Sequence, residues 1–193
     1  MPPVDDASST SALDAISAEL ASTAASISAT NAAALDLAAT EIRNARRVFT
    51  FGAGRSGMAL NMTAMRLMHL GMRVHVVGET TAPAIEAGDV LVVASGSGTT
   101  EGIVRAVHTA TTVGASTVAL TTDATSVIAE LAHVTIVVPA AKKLDRGSAA
   151  SVQYAGSLFE QSVVLVGDAL FHALWKSSGR TADELWPRHS NLE

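Results

Sequence analysis

From about residue 46 onward, short continuous apolar runs alternate with stretches whose apolar residues recur every three or four positions. The runs fall at 47–51, 73–77, 89–93, 115–120 and 134–138, and all are rich in Val, Ile or other β-branched residues. Runs of this length and composition, bounded by turn residues, read as strands buried on both faces. The stretches at 58–70, 102–113, 126–132 and 151–177 read as helices, the first ended by Gly71. Five strands alternating with helices predict an α/β fold, a doubly wound five-stranded parallel sheet of the flavodoxin-like kind. With strand order 2-1-3-4-5, the connections after strands one and three flank the place where the winding reverses, and such sheets bind ligands there.

Residues 10–44 stand outside this alternation. They are rich in Ala, with Leu13, Ile16, Leu20, Ile27, Leu35, Leu37 and Ile42 at mixed three- and four-residue spacing. The spacing predicts a helical N-terminal lead-in, broken near Thr30-Asn31, that packs on a sheet edge or a partner subunit. Residues 1–9 are polar and expected to be mobile, 139–148 form a polar loop, and 179–193 form a tail. The organisation expected is one domain: a lead-in over 1–45 joined to an α/β unit over 46–193.

Composition narrows the function. The 193 residues are 48% apolar but only 4% aromatic, and 16% charged, below the usual quarter. Such a chain buries much of its surface, some of it between subunits. The net charge of −5, with no basic cluster beyond Arg46-Arg47 and Lys142-Lys143, argues against nucleic acid as a partner. Absence of cysteine excludes disulfides and thiolate metal sites. No His, Asp or Glu spacing suggests a metal. The N-terminal residues carry no basic stretch before an apolar run, and the apolar segment 157–175 contains Glu160 and Asp168. These features predict a cytoplasmic protein with no membrane span.

The segment 94–101, Ala-Ser-Gly-Ser-Gly-Thr-Thr-Glu, links the third strand to its helix. Its glycines allow close backbone approach to a ligand. Ser95, Ser97, Thr99 and Thr100 offer uncharged donors, and the helix start adds unpaired N–H groups and a partial positive charge. Together these suit a small anion such as a phosphate. No Lys follows the second glycine, so this is not a nucleotide P-loop, and a phosphate monoester fits better than a triphosphate. A plain Ser/Gly capping turn is the competing reading. Gly52, Gly54 and Gly57 match the GxGxxG dinucleotide pattern, with Glu79 at a ribose-binding distance. Against that stand the side-chain donors Arg55 and Ser56 within the turn, the second Ser/Gly loop it would leave unexplained, and too short a chain for a substrate domain.

Three features together resemble a known family: Ser-Gly-Ser-Gly-Thr-Thr at 95–100 after a strand, Gly-Arg-Ser-Gly at 54–57, and Ser-Leu-Phe-Glu-Gln at 157–161. They are similar to the sugar isomerase (SIS) domain. More narrowly, 65–71, 77–83 and the ending Arg-His-Ser-Asn-Leu-Glu at 188–193 resemble the 6-phospho-3-hexuloisomerases, over about 47–193. That family typically has Gly or Ser at position 94 and often Glu at 99. Ala94 and Thr99 depart from it and leave the Ser95/Ser97 pair in place.

The resemblance implies interconversion of D-arabino-3-hexulose 6-phosphate and fructose 6-phosphate in the ribulose monophosphate route of formaldehyde fixation. It also implies no metal or organic cofactor, and a homotetramer with sites between subunits. It makes Glu160 the base, against a reading as part of a solvated helix stripe. His189, in the polar tail, is a candidate acid or proton relay for a neighbour's site. His69, in the last helical turn before Gly71, is a second candidate, although a helix C-terminus alone accounts for an imidazolium there. Gly54, Arg55, Ser56, Ser95, Gly96, Ser97, Thr99 and Thr100 are the expected phosphosugar-binding set. Arg55 would hold phosphate or enediolate, or form only a surface ion pair. Thr121, Thr122 and Asp123 line the sugar pocket or cap the short helix after them. Another SIS aldose–ketose phosphate isomerase, a non-catalytic phosphosugar sensor and a pure assembly protein are the rival readings. A phosphosugar assay panel separates the first, binding without turnover the second, and the third leaves both Ser/Gly turns unexplained.

Overall fold

The computed structural model describes residues 8–141 and 151–192; the polar leader at 1–7, the Lys142-Lys143 pair, most of the predicted polar loop and Glu193 lie outside the described residues. Two helices open the chain, α1 (Ser9–Thr30) and α2 (Ala32–Asn44). They meet at Asn31, where the predicted break falls. Its buried side-chain amide donates to Val137 O (3.0 Å) while its Oδ1 accepts from Val137 N–H (2.8 Å). Val137 lies on the last strand, so Asn31 pairs that edge strand as a neighbouring strand would, and satisfies backbone groups that need partners once covered.

The alternation follows: β1 (Val48–Gly52), α3 (Gly54–His69), β2 (Val74–Val76), β3 (Val90–Ala94), α4 (Glu101–Thr112), β4 (Ser116–Thr121), α5 (Val127–Leu131), β5 (Val134–Val137) and α6 (Ser157–Ser178). The sheet is parallel throughout, in the order β2-β1-β3-β4-β5 expected from the sequence. Val90, Leu91, Val92, Val93 and Ala94 of the central strand are all buried, as a strand covered on both faces requires. One face packs on α2, α3 and α6 through Ile42, Leu60, Leu67, Val163, Val166 and Leu170. The other packs on α4 and α5 through Phe49, Leu91, Ile103, Val107 and Ile128.

The β1–β3 register is held at its lower end by a buried carboxylate. Asp89 accepts from Arg47 (Nη2 2.6 Å, Nε 3.0 Å), from Arg46 Nε (3.3 Å) and from the Glu86 N–H (2.9 Å). Burial pushes the Asp89 carboxyl up, but Arg47, the Glu86 N–H and Arg46 outweigh it and hold the group below the usual range. Register then carries upward from Val48↔Val90 to Gly52↔Ala94, so both strands end level.

Two helix starts differ from the sequence reading. α3 begins at Gly54, so Gly54, Arg55, Ser56 and Gly57 form its first turn rather than a free loop. The crossing from β1 into α3 is so tight that a Cβ on Gly57 would fall on the Gly52 carbonyl oxygen. α6 begins at Ser157, six residues later than its apolar pattern suggests, because Ala155 takes a left-handed conformation (φ 49°). The tail carries α7 (Ala182–Leu185) running into a 3-10 turn, Trp186–Arg188.

α3 and α6 lie close together because Gly167 faces Thr63: a Cβ at 167 would fall on Thr63 Oγ1 and 3.1 Å from Thr63 Cβ. Gly167→Ala should therefore destabilise the fold by about 1–3 kcal/mol, an overpacking cost. Adding Thr63→Ala should recover most of it. Urea denaturation checks this, and equal losses with and without Thr63→Ala would remove the steric explanation.

Candidate active site

β1 and β3 end side by side, and the chain leaves each of them into a helix. The connection after β3 is built from its own hydroxyls. Ser95 is buried; its Oγ pairs with Thr100 Oγ1 (2.9 Å) and accepts from the Gly98 N–H (3.2 Å). Gly98 has φ 62°, and a Cβ there would collide with Ser126, so glycine is required on both counts. The carbonyl of Gly96 is held from β4 by Thr122 Oγ1 (2.8 Å), the Thr122 N–H (3.1 Å) and Thr121 Oγ1 (3.2 Å). Thr121 and Thr122 thus brace the loop. Ser97 is exposed, with its Oγ accepting from Thr99 Oγ1 (3.1 Å) and the Thr99 N–H (3.3 Å).

Beside this loop lies a cleft of about 190 Å³ lined by Gly54, Arg55, Ser56, Ser95, Gly96, Ser97, Thr100 and Glu160, with Phe159 and Ile103 among its apolar lining. Three helices start on its rim, and none has a side-chain cap: α3 after Ala53, α4 after Thr100 and α6 after Gly156. Thr100, a residue type that ordinarily caps, turns its hydroxyl to Ser95 instead. First-turn N–H groups and the positive ends of three helix dipoles therefore gather at one place. A dianion fits there chemically.

Glu160 sits in the first turn of α6 and its side chain is 21% exposed. Its Oε2 lies 2.6 Å from Arg55 Nε, on the first turn of α3. The side chain is neither on a solvated stripe nor sealed in the core; it stands at the cleft wall. Asp168 and His172, further along α6, are exposed as a polar face would be.

The expected binding set is thus largely brought together, along with Glu160. Thr99 stands just outside the lining, joined to it through Ser97. The two histidines are elsewhere. His69 and His189 stack on each other with ring centroids 4.0 Å apart, and Trp186 flanks His189 at 4.6 Å. This pair sits at the far end of α3, a 16-residue helix of about 24 Å, away from the cleft of the same chain. His69 is buried, and its Nδ1 has no hydrogen-bond partner. Burial, and then the neighbouring His189 and Arg66, lower its pKa. Arg180 Nη1 donates to the carbonyl of Leu70 (2.7 Å), and so holds the end of α3 against the start of the tail.

Sequence reasoning missed two contacts. Arg55 was read as holding phosphate or enediolate, or as a surface ion pair, but its pairing with Glu160 across 105 positions was not foreseen. Glu19 carried no signal at all, yet its carboxylate receives the segment that leads into α6: Val152 N–H (2.7 Å), Ser151 Oγ (3.1 Å) and Gln153 Nε2 (3.1 Å). A single carboxylate in an Ala-rich helix reads as a solvated face. Among the described residues no three His, Asp or Glu side chains gather as a metal site would need, and no helix is long and apolar enough to cross a membrane.

Comparison with known proteins shows the family of the chain. The SIS domain model matches residues 41–165. The chain is 51% identical to the 3-hexulose-6-phosphate isomerase of Mycobacterium gastri over 184 residues, 95% of this chain and 91% of that one. It is 36% identical to the 3-hexulose-6-phosphate isomerase of Bacillus subtilis over 159 residues, 82% of this chain and 86% of the relative. A crystal structure from Methanococcus jannaschii, for which a 3-hexulose-6-phosphate isomerase function was inferred, superposes with a TM-score of 0.79 at 32% identity, covering 94% of this chain and 99% of that one.

The buried His69 gives a pH signature. Its folded-state pKa lies below the unfolded value of 6.5, so the unfolded chain binds the proton more readily. Its contribution to stability is present in full above about pH 6.5 and is lost as pH falls below it. The melting temperature should decline on acidification through that range, and His69→Phe, which keeps a flat ring against His189, should shallow the decline. Parallel melting curves for the two proteins against pH would overturn the assignment.

Proposed function

This chain belongs to the SIS domain family and, within it, to the family of the 3-hexulose-6-phosphate isomerases, and from that premise we propose how its cleft works. The protein is an enzyme. It converts D-arabino-3-hexulose 6-phosphate to D-fructose 6-phosphate, the isomerase step of the ribulose monophosphate pathway. The observation that carries the proposed mechanism is the meeting of Glu160 and Arg55 in the same cleft as the hydroxyl loop at 95–100.

Moving the ketone from C3 to C2 takes a proton from C2 and returns one to C3 through a 2,3-enediol. The hydroxyl proton passes from O2 to O3. In our reading the phosphate lies against the loop of Ser95, Gly96, Ser97, Thr99 and Thr100 and the first turn at Gly54 and Ser56, where three helix starts face it. Glu160 then carries the carbon-bound proton, as a single carboxylate can when both carbons present it on one face. Arg55, already within hydrogen-bond distance of Glu160, is placed to stabilise the enediolate oxygen as charge develops. The 3-ketose cannot close a five-membered ring, since its O6 bears the phosphate. The forward reaction therefore needs no ring-opening acid, whereas the reverse reaction on fructose 6-phosphate does.

We place the acid or relay on a neighbouring subunit, in a homotetramer. Support comes from the distance between the His69–His189 stack and the cleft of its own chain. Support comes also from α3, whose Met58, Met62 and Met65 are 60%, 52% and 58% exposed beside Arg55 and Glu160. An apolar methionine stripe bordering a catalytic cleft suits a subunit interface. A cytoplasmic location follows from the substrate, a charged sugar phosphate that an apolar bilayer excludes.

The direct assay couples 3-hexulose 6-phosphate to detection of fructose 6-phosphate, with other aldose and ketose phosphates as a panel. Turnover of a different pair alone would replace the proposed substrate. Glu160→Gln should keep fructose 6-phosphate binding while lowering the rate by about 10²–10⁴; a variant above half the wild-type rate would place the base elsewhere. Ser97→Ala should weaken binding by about 1.5–3 kcal/mol, the worth of a hydrogen bond to a charged group. Unchanged affinity by calorimetry would remove Ser97 from the phosphate site.

The between-subunit arrangement has its own test. A chain lacking residues 187–193 and a Glu160→Gln chain should each be nearly inactive, and mixing them should recover activity, since some sites then hold both groups intact. No recovery despite confirmed subunit exchange would refute the arrangement.

A further inference from the structure

We propose that α1 is a positioning element for the active site and that Glu19 is the residue through which it acts. The proposal rests on the reading of Glu160 as the base.

Helices α1 and α2 are not needed to complete the parallel sheet, yet they grip the chain at two places near the cleft. Asn31 grips β5 at Val137, just before the cleft-lining Ala141. Glu19 grips residues 151–153, just before α6. The second grip has a chemical direction. An ionised carboxylate only accepts, so Gln153 must turn its NH₂ toward Glu19 and its carbonyl oxygen away. That oxygen accepts from Gln161 Nε2 at 2.9 Å. Gln161 is thereby oriented with its own Oε1 buried and without a hydrogen-bond partner. Gln161 follows Glu160 in the first turn of α6. A continuous chain of hydrogen bonds thus runs from α1 through Gln153 to the residue beside the base.

The segment so held departs from the backbone's own preference. Ala155 has φ 49°, a left-handed conformation uncommon for residues other than glycine. Gly156 follows as the uncapped start of α6, and a Cβ on it would lie 3.8 Å from Glu160 Oε1. A strained turn directly before a catalytic side chain persists when its surroundings over-determine it, and the three bonds to Glu19 do so. Without them the first turn of α6 is free to shift, and the base moves relative to a phosphate that the 95–100 loop still holds. Small misplacements of that kind act on the chemical step more than on binding.

Steady-state kinetics on the full-length chain test this. Glu19→Ala should lower kcat about 10- to 100-fold, with KM within about threefold of wild type, at temperatures where circular dichroism reports a fully folded protein. Glu19→Ala in a Gln161→Ala background should cost much less than it does alone, because the two act through one chain of bonds. A kcat within twofold of wild type, or fully multiplicative effects, would overturn the proposal. Should Glu19→Ala not fold, Gln153→Ala leaves Glu19 bonded to Ser151 and Val152 and breaks only the relay. It should lower kcat in the same direction, and wild-type kcat there would equally overturn the proposal. Failure of the underlying reading looks different. Turnover retained by Glu160→Gln removes the base that Glu19 is said to position, whereas an inactive Glu160→Gln beside a fully active Glu19→Ala removes only the role of α1.

Discussion

The site follows from the register of β1 on β3. Pairing of Gly52 with Ala94 brings both strands to an end at the same level, and the chain leaves them for helices on opposite faces of the sheet. The strand ends lie one strand spacing apart, about 5 Å, so the start of α3 and the 95–100 loop that leads into α4 open on one cleft. α6 returns across the same edge and adds a third helix start. None of the three carries a side-chain cap. An uncapped start leaves first-turn N–H groups without side-chain partners, so three starts at one place concentrate donors at the cleft. At the lower end of the same two strands, the buried Asp89 binds both Arg46 and Arg47. A slip of one residue would unpair that charge and would stagger the helix starts above it. Registry is a well-attested use of a buried ion pair.

The strands and the two Ser/Gly connections were legible because each rests on local pattern. A run such as Val-Leu-Val-Val-Ala carries its burial in its composition, whereas the strand order came with the flavodoxin-like fold class that the alternation suggested. The ends of helices were less legible. Glycine and serine at 52–57 read as a turn, while the structure uses them as a first helical turn pressed against β1. The apolar pattern of α6 extends back to residue 151, but the left-handed Ala155 stops the helix at Ser157, and nothing local to alanine announces that. Ser95 and Ser97 looked alike in sequence. In the fold both line the cleft, but Ser95 is buried with its hydroxyl bonded to Thr100 and Gly98, whereas Ser97 is exposed.

Pairings between distant residues were illegible for a different reason. Arg55 and Glu160 meet across 105 positions, His69 and His189 across 120, and Glu19 and Ser151 across 132. Each is made by tertiary packing that no periodicity records. The resemblance to a known family supplied Glu160 where composition alone favoured a solvated stripe. It supplied nothing for Glu19, because a carboxylate whose partners are a backbone N–H, a serine hydroxyl and a glutamine amide more than 130 positions away leaves no motif.

These distances also explain the economy of the chain. α3 carries the phosphate-side glycines and Arg55 at one end and His69 at the other, about 24 Å away. A histidine at the far end cannot serve the cleft at the near end of the same rigid helix. It can serve a cleft on another copy, provided that the exposed methionine face between the two ends is where the copies meet. One helix would then contribute to two sites, and docking of the tail on His69 through Trp186 and His189 would prepare the surface that the neighbour receives. A chain this poor in charge and aromatic side chains has little with which to enclose a sugar by itself. In the proposed assembly, sharing each cleft between subunits would supply further walls, and the exposed methionine face of α3 would be the surface that allows it.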